Sequence, residues 1–186
     1  MPFVRPQTFP TEEVMTRLIV SVGLASATTC ASFGAWAQTR ASDRASQTFI
    51  AKAIEGNLAE VQMGQLAQEK GASEGVRSFG QTLQQDHAAG AQKASAVATQ
   101  LGVSPPSEPN KKQKAMHASL AKLSGAAFDR KFASEMVKDH KKEIAEYQKA
   151  AKKQGDPAAA YASETLPTLQ KHLETAQALT KAPSAR

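Results

Sequence analysis

The chain has 186 residues, 41% of them hydrophobic and 22% charged, and carries a net charge of +6 at pH 7. Its single cysteine, Cys30, and single tryptophan, Trp36, both stand near the N-terminus, so neither a disulfide framework nor a thiolate metal site underlies the fold. The lysines are scattered without interleaved aromatics, which reads as a solvated basic surface and excludes a nucleic-acid footprint; anionic envelope lipid is the more suitable electrostatic partner.

From Met15 the sequence reads MTRLIVSVGLASATTCASFGAWAQ. Arg17 supplies a short positive region, an apolar and small-residue stretch follows, and Ala35-Trp36-Ala37 forms a small-x-small cleavage site before Gln38, the pattern of an export signal. The preceding residues carry Glu12, Glu13 and three prolines, which suits no positive region, so Met15 is the expected start. The reading is therefore an extension and cleaved signal peptide over 1–37 and one domain over 38–186, located in the periplasm or at the envelope. Cleavage removes two basic and two acidic residues, and the charge of +6 stays with the domain. A retained anchor needs about 20 strongly apolar residues, and the Ser, Thr and Gly here dilute the stretch. A lipoprotein needs a Leu-like residue just ahead of its cysteine, whereas Cys30 follows Ala27-Thr28-Thr29.

Residues 44 to 70 give the first long helical pattern, with Phe49, Ile50, Ala53, Ile54, Val61 and Gly64 recurring at three- and four-residue intervals. Gly71 stops it and Ser73 starts the second helix, 73 to 101, striped by Val76, Phe79, Leu83, Ala94, Val97 and Leu101. GVSPPSEPN, residues 102 to 110, breaks the chain. A short basic amphipathic helix follows over 111 to 123, presenting Met116, Leu120 and Leu123. The third long helix, 126 to 154, has Phe128, Phe132, Met136, Ile144 and Tyr147 as its apolar face, and Gly155 ends it. Asp156 is placed to cap the last helix and Pro157 to open it, with a kink expected near Pro167 before its end at about Lys181. No segment alternates as a strand does. The expected fold is all-α: a four-helix bundle of two hairpins joined by a long crossover with a short extra helix, the arrangement of ferritin-like bundles.

Laying Phe132 over Phe49 matches His140 with Asn57 and Glu143 with Glu60, and a two-residue gap brings His172 onto His87. The halves read as related hairpins. His87, His140 and His172 each fall on the apolar stripe of a different helix, and Glu60 and Glu143 sit beside the same stripes. Counting from the nearest turn at about 1.5 Å per residue puts all five at roughly 18 to 25 Å depth. Imidazole and carboxylate gathered at one depth from facing helices are the makings of a transition-metal site, with copper, zinc or iron the candidates. Di-iron carboxylate chemistry usually takes Glu-x-x-His on two helices; here the order is reversed in one helix and Asn57 replaces a histidine in the other. A histidine-rich layer with Met136 one turn from His140 suits copper or zinc better. The competing reading is a satisfied polar layer, each histidine bonding a carboxylate such as Glu60, Asp86 or Asp139. His117, in the short basic helix, reads as solvent-facing.

The segments EGNLAEVQMGQLAQEKG, FGQTLQQDH, FASEMVKDH and TLPTLQKHLETAQAL together resemble the bacterial exported family known as domain of unknown function 4142, over about residues 46 to 180. The second hairpin alone is similar to domain of unknown function 305. The resemblance implies a ferritin-like helical bundle in the periplasm or outer envelope, and brings no activity with it. The residues support two readings: a metal-binding envelope bundle, or a non-catalytic structural or stress-related interaction protein without metal. A nucleophile with a paired base, a phosphate-cradling glycine loop and a haem-attachment motif are absent from 38–186, so an enzyme is the weakest reading.

Overall fold

The computed structural model describes residues 31–182, with side chains from Asp43 onward. Most of the expected leader therefore lies outside the described residues. Among the described residues there are five helices: α1 (Ala31–Lys70), α2 (Glu74–Gln100), α3 (Lys111–Leu120), α4 (Gly125–Ala150) and α5 (Pro157–Lys181). Among the described residues there is no strand, and no helix is long and apolar enough to cross a membrane.

The caps fall where the side chains allow them. Ser73 accepts from the Val76 amide and Asp156 from the Ala158 amide ahead of Pro157, while Asn110 and Gln113 form a reciprocal capping box on α3. Three boundaries differ from expectation. α1 already runs at Ala31, the first described residue, and so extends well upstream of residue 44; the small alanine-rich run that suits a cleavage site also has high helix propensity. α3 stops at Leu120, where Leu123 turns back to bond the Leu120 carbonyl. α4 stops at Ala150, and the Lys153 ammonium turns back to the α5 cap, Asp156, and to Ser46, which itself donates to that cap. α5 runs unbroken through Pro167, which faces solvent.

α1 pairs with α2 and α4 with α5 as antiparallel hairpins, and the hairpins meet through α2 against α5 and α1 against α4. Their relative direction is fixed at both ends. Asp129, at the start of α4, accepts from the Ala72 and Ser73 amides at 2.9 and 2.8 Å, tying α4 to the α1–α2 turn. At the opposite end Ser46 bonds Asp156 and Gln47 donates to the Leu101 carbonyl. The 102–124 connection with α3 therefore spans the length of the bundle, and the helices run up, down, down, up. The two tight turns lie at opposite ends, so residues halfway from either turn meet at mid-height.

The closest helix approach is α1 on α2. A Cβ on Gly64 would stand 2.4 Å from the Gly80 carbonyl oxygen, and one on Gly80 would stand 2.6 Å from that of Gly64. Only a hydrogen fits at either position, and the crossing sets the register of the hairpin.

The apolar core is divided in two. One cluster, around Leu66, Phe79, Leu83, Phe128, Phe132 and Met136, fills the end nearest the α1–α2 turn. The other, around Ile50, Ile54, Ala94, Tyr147, Tyr161 and Leu169, fills the end nearest the α4–α5 turn. Between them lie the buried polar residues Asn57, Glu60, His87, His140 and His172.

Candidate metal centre

Seven residues along α1 before Gly64, and seven along α2 after Gly80, the antiparallel register brings Asn57 opposite His87. The Asn57 amide nitrogen donates to the Ala53 carbonyl at 2.7 Å and to the Tyr161 hydroxyl at 2.9 Å. Its oxygen is thereby turned to His87 Nδ1, 3.0 Å away. An amide oxygen only accepts, so Nδ1 carries the proton and Nε2 bears a bare lone pair.

The same logic fixes the other two rings. His140 Nδ1 lies 3.0 Å from the Met136 carbonyl oxygen and must donate to it, leaving Nε2 with the lone pair. His172 Nε2 lies 2.9 Å from the Asp86 carboxylate, which leaves Nδ1. All three rings are buried, at 4%, 0% and 1% exposure for His87, His140 and His172, and the remaining nitrogen of each has no hydrogen-bond partner. The rings pack around one point, with centroids 5.2 to 5.9 Å apart. Each offers a ring nitrogen within 4.8 Å of the other two.

Glu60 and Glu143 complete the layer. With His140 they form a second triad whose ligand atoms lie within 4.8 Å of one another, and one oxygen of each carboxyl is buried without a partner. The five residues that the helical periodicity brings to one depth are the same five that leave a buried polar atom without a hydrogen bond among the described residues. Unpaired buried polar atoms are costly and uncommon; five around one volume single out this layer as the candidate site.

The electrostatics follow the burial. Desolvation pushes the Glu60 carboxyl well above its ordinary range, reinforced by Glu143 and Asp139. Glu143 is raised to about 8, mainly by burial and then by Asp139 and Glu146. Burial, with the other two rings, holds His87 well below its ordinary value, and His140 is lowered to about 4. His172 is lowered by burial and partly restored by Asp86. The histidines are thus neutral lone-pair donors near neutral pH, and the carboxyls carry protons that a bound cation would have to displace.

Several expectations are refined. Asp86 orients a histidine on the neighbouring helix, whereas Asp139 acts on Glu60 and Glu143 through its charge. A layer of histidines each bonded to a carboxylate does not form: among the described residues His87 bonds an amide, His140 a backbone carbonyl and His172 alone a carboxylate. Met136 contributes its backbone carbonyl, and its side chain belongs to the apolar cluster. His117 is half-buried on α3 and does not join the layer. Asn57 and Tyr161, which support His87, carry no ligand-like signal in the sequence; the alignment of Asn57 with His140 was the one pointer to its place. Tyr147 lies beyond them, its hydroxyl 3.4 Å from that of Tyr161.

The sequence profile of a family described as Domain of unknown function (DUF4142) matches residues 31–179. The chain belongs to this family. Among solved structures, a DUF305 fragment from Deinococcus radiodurans superposes on this DUF4142 chain with a TM-score of 0.65. The identity is 14%, and the match covers 73% of this chain and 95% of that one. At that identity the likeness concerns the fold alone. Comparison with curated proteins gives no match.

Proposed function

We propose that this DUF4142 protein is an exported, ferritin-like bundle that binds a transition metal ion through His87, His140 and His172, with Glu60 and Glu143 beside them. The observation that carries the reading is the tautomer set: three buried rings, each with one nitrogen committed to a fixed acceptor, leave three lone pairs and no donor among them. Outer partners that fix the tautomer and aim the ring are what metal-binding histidines require. Neutral imidazoles suit zinc, copper or iron. The up, down, down, up course and the spanning connection support the ferritin-like arrangement.

Location and surface partner follow from the sequence. The Ala35-Trp36-Ala37 motif supports export. On α3, Leu120 is buried and Met116 packs on the core, which leaves Lys111, Lys112 and Lys114 facing solvent; this basic face fits anionic envelope lipid.

The test is metal analysis of protein purified without a histidine tag and loaded with zinc, copper(I) or iron(II), alongside His140→Ala and His172→Ala. Bound metal in the natural sequence and its loss in both variants is expected. A protein that stays metal-free under every loading condition leaves the structural, interaction-module reading in its place.

A further inference from the structure

His140 belongs to both triads, with His87 and His172 on one side and with Glu60 and Glu143 on the other. A ring nitrogen has one lone pair in the ring plane and ligates one ion. The Nδ1 of His140 donates to the Met136 carbonyl of its own helix at 3.0 Å, so Nε2 is the only ligand atom this ring offers. The ring itself is fully buried, and α4 cannot swing it without breaking the Met136 bond and the packing of Met136 and Phe132 one and two turns away.

From this we infer that the layer is a single-ion centre with two mutually exclusive seats sharing His140: a three-imidazole seat and a seat of one imidazole and two carboxylates. The inference rests on the metal-binding reading above and adds its stoichiometry and ion choice. The seats differ in chemistry. Three neutral nitrogens favour zinc(II) or copper, and two carboxylates with one nitrogen favour harder ions such as manganese(II).

The two seats lie nearest different faces of the bundle. A surface groove of about 440 Å³ between α2 and α5 is lined by Phe79, Thr82 and His172, next to the half-exposed Asp86 that holds the ring. On the α1–α4 side, Glu143 and Asp139 are only partly buried, and Gly56 leaves the room in which a Cβ would come within 3.0 Å of Glu143 Oε1. An ion arriving from the carboxylate side meets oxygen ligands first and reaches the imidazoles through His140.

Stoichiometry and competition test the inference on the intact protein. Titration with zinc(II), with manganese(II), and with both together is expected to saturate at one ion per chain in every case, zinc displacing manganese. Glu60→Gln with Glu143→Gln is expected to raise the zinc-to-manganese affinity ratio at least tenfold, and His87→Gln with His172→Gln to lower it as much. Circular dichroism checks that each variant stays folded, and the stoichiometry of the unaltered chain needs no variant. Two ions per chain, zinc and manganese bound together, or a ratio that moves in neither variant overturns the shared-ligand centre while leaving metal binding intact. No bound ion at all overturns both.

Discussion

Asn57 holds His87 from the neighbouring helix: its oxygen accepts from His87 Nδ1 at 3.0 Å while its amide nitrogen is spent on Ala53 and Tyr161. The amide cannot flip without losing both donor bonds, so one asparagine decides which nitrogen of His87 is bare. Its counterpart in the second hairpin is His140, a ligand candidate in its own right. The matching positions of the two halves thus divide the work between orienting a ring and being one.

Asn57→Ala therefore removes no ligand but frees the His87 ring. Metal affinity is expected to fall about 10- to 100-fold, the usual loss when an outer partner of a ligating histidine is removed. Isothermal titration with zinc(II) reads the change directly. Affinity equal to that of the natural protein would show that Asn57 does not set the tautomer.

Gly90→Ala reaches the same ring from the other side. A Cβ at Gly90 would stand 2.4 Å from Asn57 Oδ1, so Asn57 must shift and the bond to His87 with it. Weaker metal binding is expected with the helical circular dichroism preserved, since alanine favours α2. The double variant with Asn57→Ala is expected to bind no worse than Asn57→Ala alone, because the clash and the bond it breaks share one atom.

The helices, their caps at Ser73 and Asp156, and the five polar positions were legible in the sequence because each rests on local periodicity or on turn chemistry. What made the site was not. The Gly64–Gly80 crossing and the Asn57 and Asp86 bonds pair residues distant in sequence, and only the packed hairpins bring them together. The five polar residues share one level because the tight turns lie at opposite ends, so that halfway from either is the same height. Asp129 was invisible for a related reason: its partners are backbone amides of a turn more than fifty residues away.

Gly64→Ala tests the crossing. The added methyl meets backbone on the facing helix, where no side chain can yield, so a loss of about 1–3 kcal/mol or more is expected. Gly80→Ala is expected to cost as much, and the double variant cannot compensate, since each Cβ meets the other position's carbonyl oxygen. Urea unfolding gives these values. Unchanged midpoints would show that the helices separate cheaply.

Asp129→Ala removes the acceptor of two backbone amides at the α1–α2 turn. Both donors lose a charged partner, and a loss of about 1.5–3 kcal/mol is expected. The turn lies at the end of the bundle, so metal stoichiometry is expected to stay as in the natural protein. A change in metal content would mean that the end of the bundle and its middle are coupled.

The metal-free protein is expected to show an unusual pH dependence. Glu60 and Glu143 titrate above their unfolded value of 4.5, Glu143 at about 8. Between those limits the folded state holds more protons than the unfolded one, and stability falls as pH rises through that window. His87, His140 and His172 titrate below their unfolded value of 6.5, His140 at about 4. Below pH 6.5 the unfolded state takes up more protons at these rings, and their contribution is lost as pH falls. The two slopes oppose each other between 4.5 and 6.5. Above 6.5 the rings are neutral in both states and only the carboxyl slope remains. The melting temperature is therefore expected to drop from pH 6.5 to 8, and Glu60→Gln with Glu143→Gln is expected to flatten that drop. Saturating zinc(II) is expected to reverse it, because a bound cation replaces the carboxyl protons and binds more tightly as they leave. A metal-free melting temperature that climbs over the same range would mean that both carboxylates are ionised in the folded core without a cation.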